Sequence, residues 1–249
     1  MHTADAGVLL LDVDPDLGAA LSAEEFALAR RHLRARVSEL DAGHWDPPTA
    51  PSGHRHLGLL VIDGVLTRDV SVRERCCAEL LGAGDVLRPW DQLEALGASV
   101  EHTYRWEVLE PARVAQIDAR VAAALARWPS VASALVSRAL RRVRTMGLQY
   151  ALTQVQGVDV RLHLVLWHLA DRWGRVTPAG VVLRLPLTHQ LLGRLIGARR
   201  PSVTSALQRL DRDGLVLRME DGSWLLHGRP DEIELQHEST RRRHLSAVA

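Results

Sequence analysis

Apolar residues repeat at two periods along this 249-residue chain, and the change of period divides it. Ser22-Ala23-Glu24-Glu25 has the form of a capping box and opens a helical pattern running to about Leu40. Asp46 to Gly53 carries three prolines and a glycine, which leave neither helix nor ladder to continue, so it reads as a loop. Leu57 to Ile62 and Val65 to Val70 read as two strands about a tight Asp63-Gly64 hairpin, since Asp-Gly tolerates the positive φ of a type I′ turn. Gly82-Ala83-Gly84-Asp85 marks a second turn, and Val100 to Val108 and Arg113 to Ile117 are further strand-like pieces. Residues 43–118 are thus expected to form a small, mostly β domain.

From Pro129 the period becomes helical. Val136, Ala139, Val143, Met146 and Tyr150 step by three and four, the spacing of a coiled-coil seam, with Arg138, Arg141, Arg142 and Arg144 largely off it. Such a stripe must be buried on its own domain or on a second copy, and its regularity favours the copy. Val158 to Trp173 is a second amphipathic helix ended by Gly174, and Val181 to Leu185 alternates like a strand.

The stretch from Thr188 to Leu207 is the most informative. Thr188 can cap a short helix whose inner side is Leu191, Leu192, Leu195 and Ile196. Gly193 presents no Cβ, so a second helix can cross very closely there, and Gly197 sits where the turn needs positive φ. Pro201 suits the first turn of a following helix lined by Val203, Ala206, Leu207 and Leu210. Arg200, Ser202, Thr204, Ser205 and Arg209 point more outward, and Asp213-Gly214 ends the helix. Two apolar strands around Asp221-Gly222 then form a hairpin wing. A helix-turn-helix with a wing offers its second helix to a DNA major groove.

Composition adds limits. Apolar residues are 47% and charged residues 24%, an ordinary globular balance. The longest apolar runs fall far short of the roughly 18 residues of a membrane span. Met1-His2-Thr3-Ala4-Asp5 lacks the basic start of a signal peptide, and Cys76-Cys77, being adjacent, cannot staple a fold. The expectation is a cytoplasmic protein without a membrane partner. The net charge of +1 hides a strong asymmetry. Residues 1–126 carry 12 Arg against 20 acids, whereas residues 127–218 carry 15 Arg against 4. A basic segment fused to an acidic half fits a polyanion-binding module attached to something else.

Residues 187–215 resemble the DNA-binding segment of the Crp/Fnr family, the cyclic-AMP receptor protein and fumarate–nitrate regulator group. The matching run is Leu187-Thr188-His189, Leu192-Gly193, Leu195-Ile196-Gly197, Arg200, Ser202-Val203 and Ala206-Leu207. The resemblance implies an α+β chain. Its parts would be a divergent cyclic-nucleotide-binding-like β-roll sensor (1–126), a dimerisation helix (127–156), a winged helix-turn-helix (157–236) and a disordered tail (237–249). It implies a homodimeric regulator of transcription that binds double-stranded DNA. RNA polymerase is a further partner that this role allows, and the small-molecule effector is left open. The family's first recognition arginine falls on Arg200, which can pair with guanine O6 and N7. Its usual Glu is Pro201 here, its later Arg is Ser205, and Arg199 replaces a small polar residue, so the family's usual operator does not carry over. Thr188, His189 and Arg199 read as phosphate contacts, and Gln190, Pro201, Ser202, Thr204 and Ser205 complete the expected DNA-binding set.

The sensor half departs further. Gly84-Asp85 stands at the family's turn, but Arg88-Pro89-Trp90 replaces the Gly-Glu pair. His102-Thr103-Tyr104 replaces the Arg-Ser/Thr-Ala phosphate grip, so control by cyclic AMP is not expected. An iron–sulfur cluster needs about four thiolates, and the chain has two. His44, His54 and His56 read as solvated, and His163 and His168 as structural, so no metal or cofactor is expected. Trp45, Trp90 and Trp106 serve core filling or an apolar pocket, the former being the simpler role. An enzyme built on a cupin-like β half lacks metal-ligand spacing, a nucleophile elbow and a phosphate loop. A protein-interaction or ligand-binding module whose helix-turn-helix does not bind DNA is the other alternative.

Overall fold

A computed structural model describes residues 2–48, 56–91 and 99–230. The chain forms two compact units, Met1–Gly147 and Leu148–Ala249. The expected tail (237–249) and His54 lie outside the described residues.

The first unit opens with strand β1 (His2–Leu9) and helices α1 (Leu10–Val13) and α2 (Ala23–His32), followed by β2 (Arg34–Leu40), β3 (Gly43–Trp45) and β4 (Gly58–Val72). Strands β5 (Arg75–Gly82), β6 (Val86–Leu87) and β7 (Thr103–Ile117) complete an antiparallel sheet ordered β1-β2-β7-β4-β5, with β3 on β7 and β6 on β4. Helix α3 (Ala119–Leu125) and the long α4 (Pro129–Gln154) follow. Alternate residues of β4 face opposite ways. Leu60 joins a core with α1, α2, α3 and the start of α4, while Leu59 and Val61 join a second core around Trp45, Trp90 and Trp106. The three tryptophans fill this core, with Trp45 and Trp106 edge to face at 5.5 Å.

The Ser22 capping box is present, with Ser22 N donating to Glu25 at 2.9 Å. The helix that it opens stops at His32 and does not reach Leu40. Arg34–Leu40 is a strand instead, because Ala35, Val37 and Leu40 are buried while Arg34, Arg36 and Glu39 are exposed. Its ladder partners, β1 and β7, come from distant sequence, and β1 was missing from the sequence reading.

Asp63-Gly64 is not a hairpin turn. The chain runs straight through it as the 15-residue β4, paired with β7 from Gly58↔Ile117 to Ser71↔Thr103, with register shifts between Val61 and Leu66. The positive φ of Gly64 (87°) serves a bulge pressed onto β7, where a Cβ would stand 2.5 Å from the Ala112 Cα. The true turn is Arg73-Glu74, with Arg73 at φ 52°. The two strand pieces read around Val100–Ile117 are likewise one strand, β7.

In α4, Val131 and Leu135 enter the core, whereas Val136, Val143 and Tyr150 are 59%, 63% and 70% exposed. Arg138 and Arg142 turn inward, to Asp14 at 2.6 Å and Glu79 at 2.7 Å. Arg141 and Arg144 stay exposed.

The second unit packs α5 (Val158–Trp173), β8 (Gly174–Thr177), β9 (Gly180–Leu183), α6 (His189–Ile196), α7 (Arg200–Arg212), β10 (Val216–Arg218) and β11 (Trp224–Leu226). Its four strands are ordered β10-β11-β9-β8. His163 is structural, as its sequence context suggested: it is buried and accepts from Trp167 Nε1 at 3.0 Å, and burial holds its pKa below the ordinary 6.5. No described helix is long and apolar enough to cross a membrane.

The bulge reading of Gly64 is testable. Gly64→Val should lower the free energy of unfolding by about 3–5 kcal/mol in denaturant titration, combining backbone strain with overpacking. A glycine in a solvent-facing hairpin would cost only about 1–2 kcal/mol.

Candidate nucleic-acid interface

Helices α6 and α7 are set by local chemistry. Thr188 Oγ1 caps α6 by accepting from Leu191 N at 3.1 Å. Gly197, in the left-handed region at φ 67°, ends it. The chain then folds back so tightly that a Cβ on Gly193 would stand 2.5 Å from the Ala198 carbonyl oxygen, with Val203 of α7 next at 3.7 Å. The closest approach to Gly193 is therefore made by the turn's own backbone and not, as expected, by the second helix, whose Val203 lies at ordinary contact distance. Pro201 lies in the first turn of α7, and Val203, Ala206, Leu207 and Leu210 form its buried stripe. Asp213 and Gly214 (φ 71°) close it.

This leaves the N-terminal end of α7 in solvent. Arg199, Arg200, Pro201, Ser202 and Ser205 are exposed and Thr204 is half-buried. Neither guanidinium, of Arg199 or Arg200, has an acceptor among the described residues. Arg209, by contrast, pairs with Asp159 at 3.1 Å and braces α7 against α5. Ser205 Oγ donates to the Pro201 carbonyl at 3.2 Å. Thr204 Oγ1 lies 3.1 Å from the Arg200 carbonyl and 2.9 Å from His189 Nδ1. Its single proton has two acceptors. Given to Arg200 O, it makes His189 the Nδ1–H tautomer with a bare Nε2. Given to Nδ1, it leaves Nε2–H as a donor, the form that an anion selects.

Thr188 and His189 also line a cleft of about 310 Å³ with Pro186, Leu187, Arg218 and Trp224. Arg218, on the wing strand β10, lies over the Trp224 ring at 4.3 Å. The wing turn is locked by Asp221, which accepts from Ser223 N at 2.9 Å and Ser223 Oγ at 2.6 Å. Burial, then the Arg200 and Arg218 charges, hold the His189 pKa below its ordinary value. Three cationic or ionisable groups from α6, α7 and the wing thus converge on one face.

A family model of the Crp-like helix-turn-helix domain matches residues 160–229. No curated protein sequence matches the chain. Among solved structures, a doubly substituted CooA from Carboxydothermus hydrogenoformans is similar at 17% identity and TM-score 0.61, covering 94% of this chain and 97% of that one. The c-di-GMP-responsive global regulator CLP of Xanthomonas campestris matches at 18% identity and TM-score 0.56, covering 80% and 96%. A CRP/FNR-family transcriptional regulator of Thermus thermophilus matches at 20% identity and TM-score 0.52, covering 80% and 97%. Residues 160–229 thus carry a Crp-like helix-turn-helix domain, and the chain shares the fold of these structures.

The residues picked from sequence divide by position. Thr188, His189, Thr204 and Arg200 are brought together, and Arg199, Pro201, Ser202 and Ser205 adjoin them on α7. Gln190 is exposed on the first turn of α6. Sequence reasoning missed Arg218 and Trp224, whose signal was the alternation of the wing strand beside an Asp-Gly turn. In the first unit, His44 lies 3.0 Å from Asp46, and no described group of His, Cys, Asp and Glu forms a metal site.

The convergence predicts a titration. His189 should titrate below 6.5 by NMR, and Arg200→Gln should move it upward, because a nearby positive charge is removed. The same depression means that His189 contributes stability above pH 6.5 that is lost as pH falls through its folded pKa.

Proposed function

We propose that the chain is a sequence-specific, DNA-binding transcription regulator acting as a homodimer, with residues 1–126 as sensor, 127–156 as dimerisation helix and 157–236 as DNA-binding domain. The carrying observation is the pair of arginines, Arg199 and Arg200, with no acceptor among the described residues, at the exposed start of a helix whose other arginine in the first three turns is spent on an internal ion pair. Arg200 reads a base edge; Arg199, Thr188 and His189 hold phosphate, with Gln190, Pro201, Ser202, Thr204 and Ser205 lining the same surface. The wing adds Arg218. The protein is a binding protein rather than an enzyme and works in the cytoplasm, with RNA polymerase as a further partner.

Cyclic AMP does not control it in this reading. Where the family grips the cyclic phosphate, His102 stacks edge-on against Tyr104 at 5.1 Å, and Arg88 is held by Asp91 at 2.7 Å.

Arg200→Ala should cost about 1–3 kcal/mol on a selected operator and relax choice at one base pair. Arg199→Ala should weaken all sequences alike and lower the salt slope by about one unit. Binding of the operator and its single-base variants, titrated with salt, checks both. Equal losses on operator and random DNA for Arg200→Ala would remove its base-reading role.

The exposed Val136–Val143–Tyr150 face of α4 motivates the dimer. The chain should sediment as a dimer at micromolar concentration, and Val143→Glu, which buries two unpaired charges at a two-fold interface, should make it a monomer. A monomeric unaltered chain would contradict the dimer.

A further inference from the structure

We propose that a DNA phosphate held in the cleft between α6 and the wing takes up a proton at His189, so that the chain grips DNA more tightly as pH falls. The inference rests on the DNA-binding reading and adds to it a proton that arrives with the ligand.

The geometry around the imidazole carries it. His189 is half-buried at the first position of α6, beside Thr188, Arg218 and Trp224 in the cleft of about 310 Å³. Its Nδ1 stands 2.9 Å from Thr204 Oγ1, which stands 3.1 Å from the Arg200 carbonyl oxygen. A hydroxyl has one proton, so both contacts are hydrogen bonds only when Thr204 donates to Arg200 O and accepts from Nδ1–H. The neutral ring that satisfies both leaves a lone pair on Nε2, which has no partner among the described residues. That lone pair repels a phosphate oxygen. The other neutral ring offers Nε2–H but gives up one of the two internal bonds. The imidazolium escapes the choice, because Nδ1–H stays on Thr204 while Nε2–H donates to phosphate in a charge-assisted bond.

The surroundings set the direction. Burial first, then the charges of Arg200 on α7 and Arg218 on the wing, disfavour a proton on the free ring. Asp221, on the wing turn, is held by Ser223 and acts on Arg184 and Arg218 rather than on the ring. On α5, Asp159 pairs with Arg209, and Arg161 donates to the Ile196 carbonyl at 3.1 Å. No described carboxylate pairs with His189, so the free ring is mostly neutral above pH 6.5 and the anion that charges it comes from outside. A phosphate both attracts the proton and offsets Arg200 and Arg218, and each effect raises the pKa of the ring in the complex. Binding therefore takes up as much as one proton per chain between the free and the bound pKa. Affinity rises as pH falls through that window.

Anisotropy of a labelled random-sequence duplex, titrated with the full chain at fixed salt from about pH 8 to about pH 5.5, tests this across the imidazole range. Over that range the affinity of the unaltered chain should rise about tenfold more than that of His189→Gln, whose side chain donates at every pH but takes no proton. His189→Arg, a fixed cation, should bind about tenfold tighter than His189→Gln at about pH 8 and share its flatter profile. The other histidines are common to all three chains and cancel in the comparison. Adding duplex to the unaltered chain should also raise the NMR pKa of His189 by about one unit, which decides the matter even if a variant misfolds. Equal profiles for the unaltered chain and His189→Gln, or a His189 pKa that duplex leaves in place or lowers, would overturn the proposal while DNA binding stands. No duplex binding at any pH would overturn both.

Discussion

The exposed surface of α6 and α7 depends on a contact made where a side chain is missing. The Ala198 carbonyl stands 2.5 Å from the place a Gly193 Cβ would take, so any other residue there would force the turn open. The Ala198 amide returns to the Gly193 carbonyl at 2.9 Å, and Gly197 supplies the left-handed conformation that lets it do so. With the turn closed, the Val203–Leu210 stripe meets the core and the start of α7 has one direction left, into solvent. Arg199 and Arg200 stand there because the backbone leaves them nowhere else.

Arginine carries every fixed positive side-chain charge in a chain without lysine, and its partners separate two uses. In the first unit Arg138 and Arg142 pair with Asp14 and Glu79, tying α4 to the end of α1 and to β5. Removing one partner of such a pair strands a charge away from water, so these arginines are structural. At the start of α7 the guanidiniums of Arg199 and Arg200 meet no carboxylate among the described residues, which is the arrangement that a phosphate backbone or a guanine edge completes.

The C-terminal unit was legible in sequence because its signals are local. Thr188 as cap, Gly197 at positive φ, Pro201 in a first turn and Asp221-Gly222 in the wing each act on backbone within a few residues. The N-terminal sheet was not legible in the same way. Asp63-Gly64 has the chemistry of a hairpin turn, but β7, about 50 residues downstream, pairs with β4 on both sides of it and makes it a bulge. Arg34–Leu40 fits a helical as well as an alternating pattern, and only β1 and β7 decide between them. The Glu79–Arg142 pair and the cluster around His189 join residues far apart in the chain, so spacing alone does not announce them.

The central claim is that the exposed basic surface at α6, α7 and the wing binds duplex DNA. Anisotropy of a labelled random-sequence duplex, titrated with the full chain at several salt concentrations, tests it most directly. The account predicts binding whose logarithm falls linearly with the logarithm of salt, with a slope of about −3 or steeper as several phosphates are neutralised. No binding at low salt, or binding indifferent to salt, would contradict it.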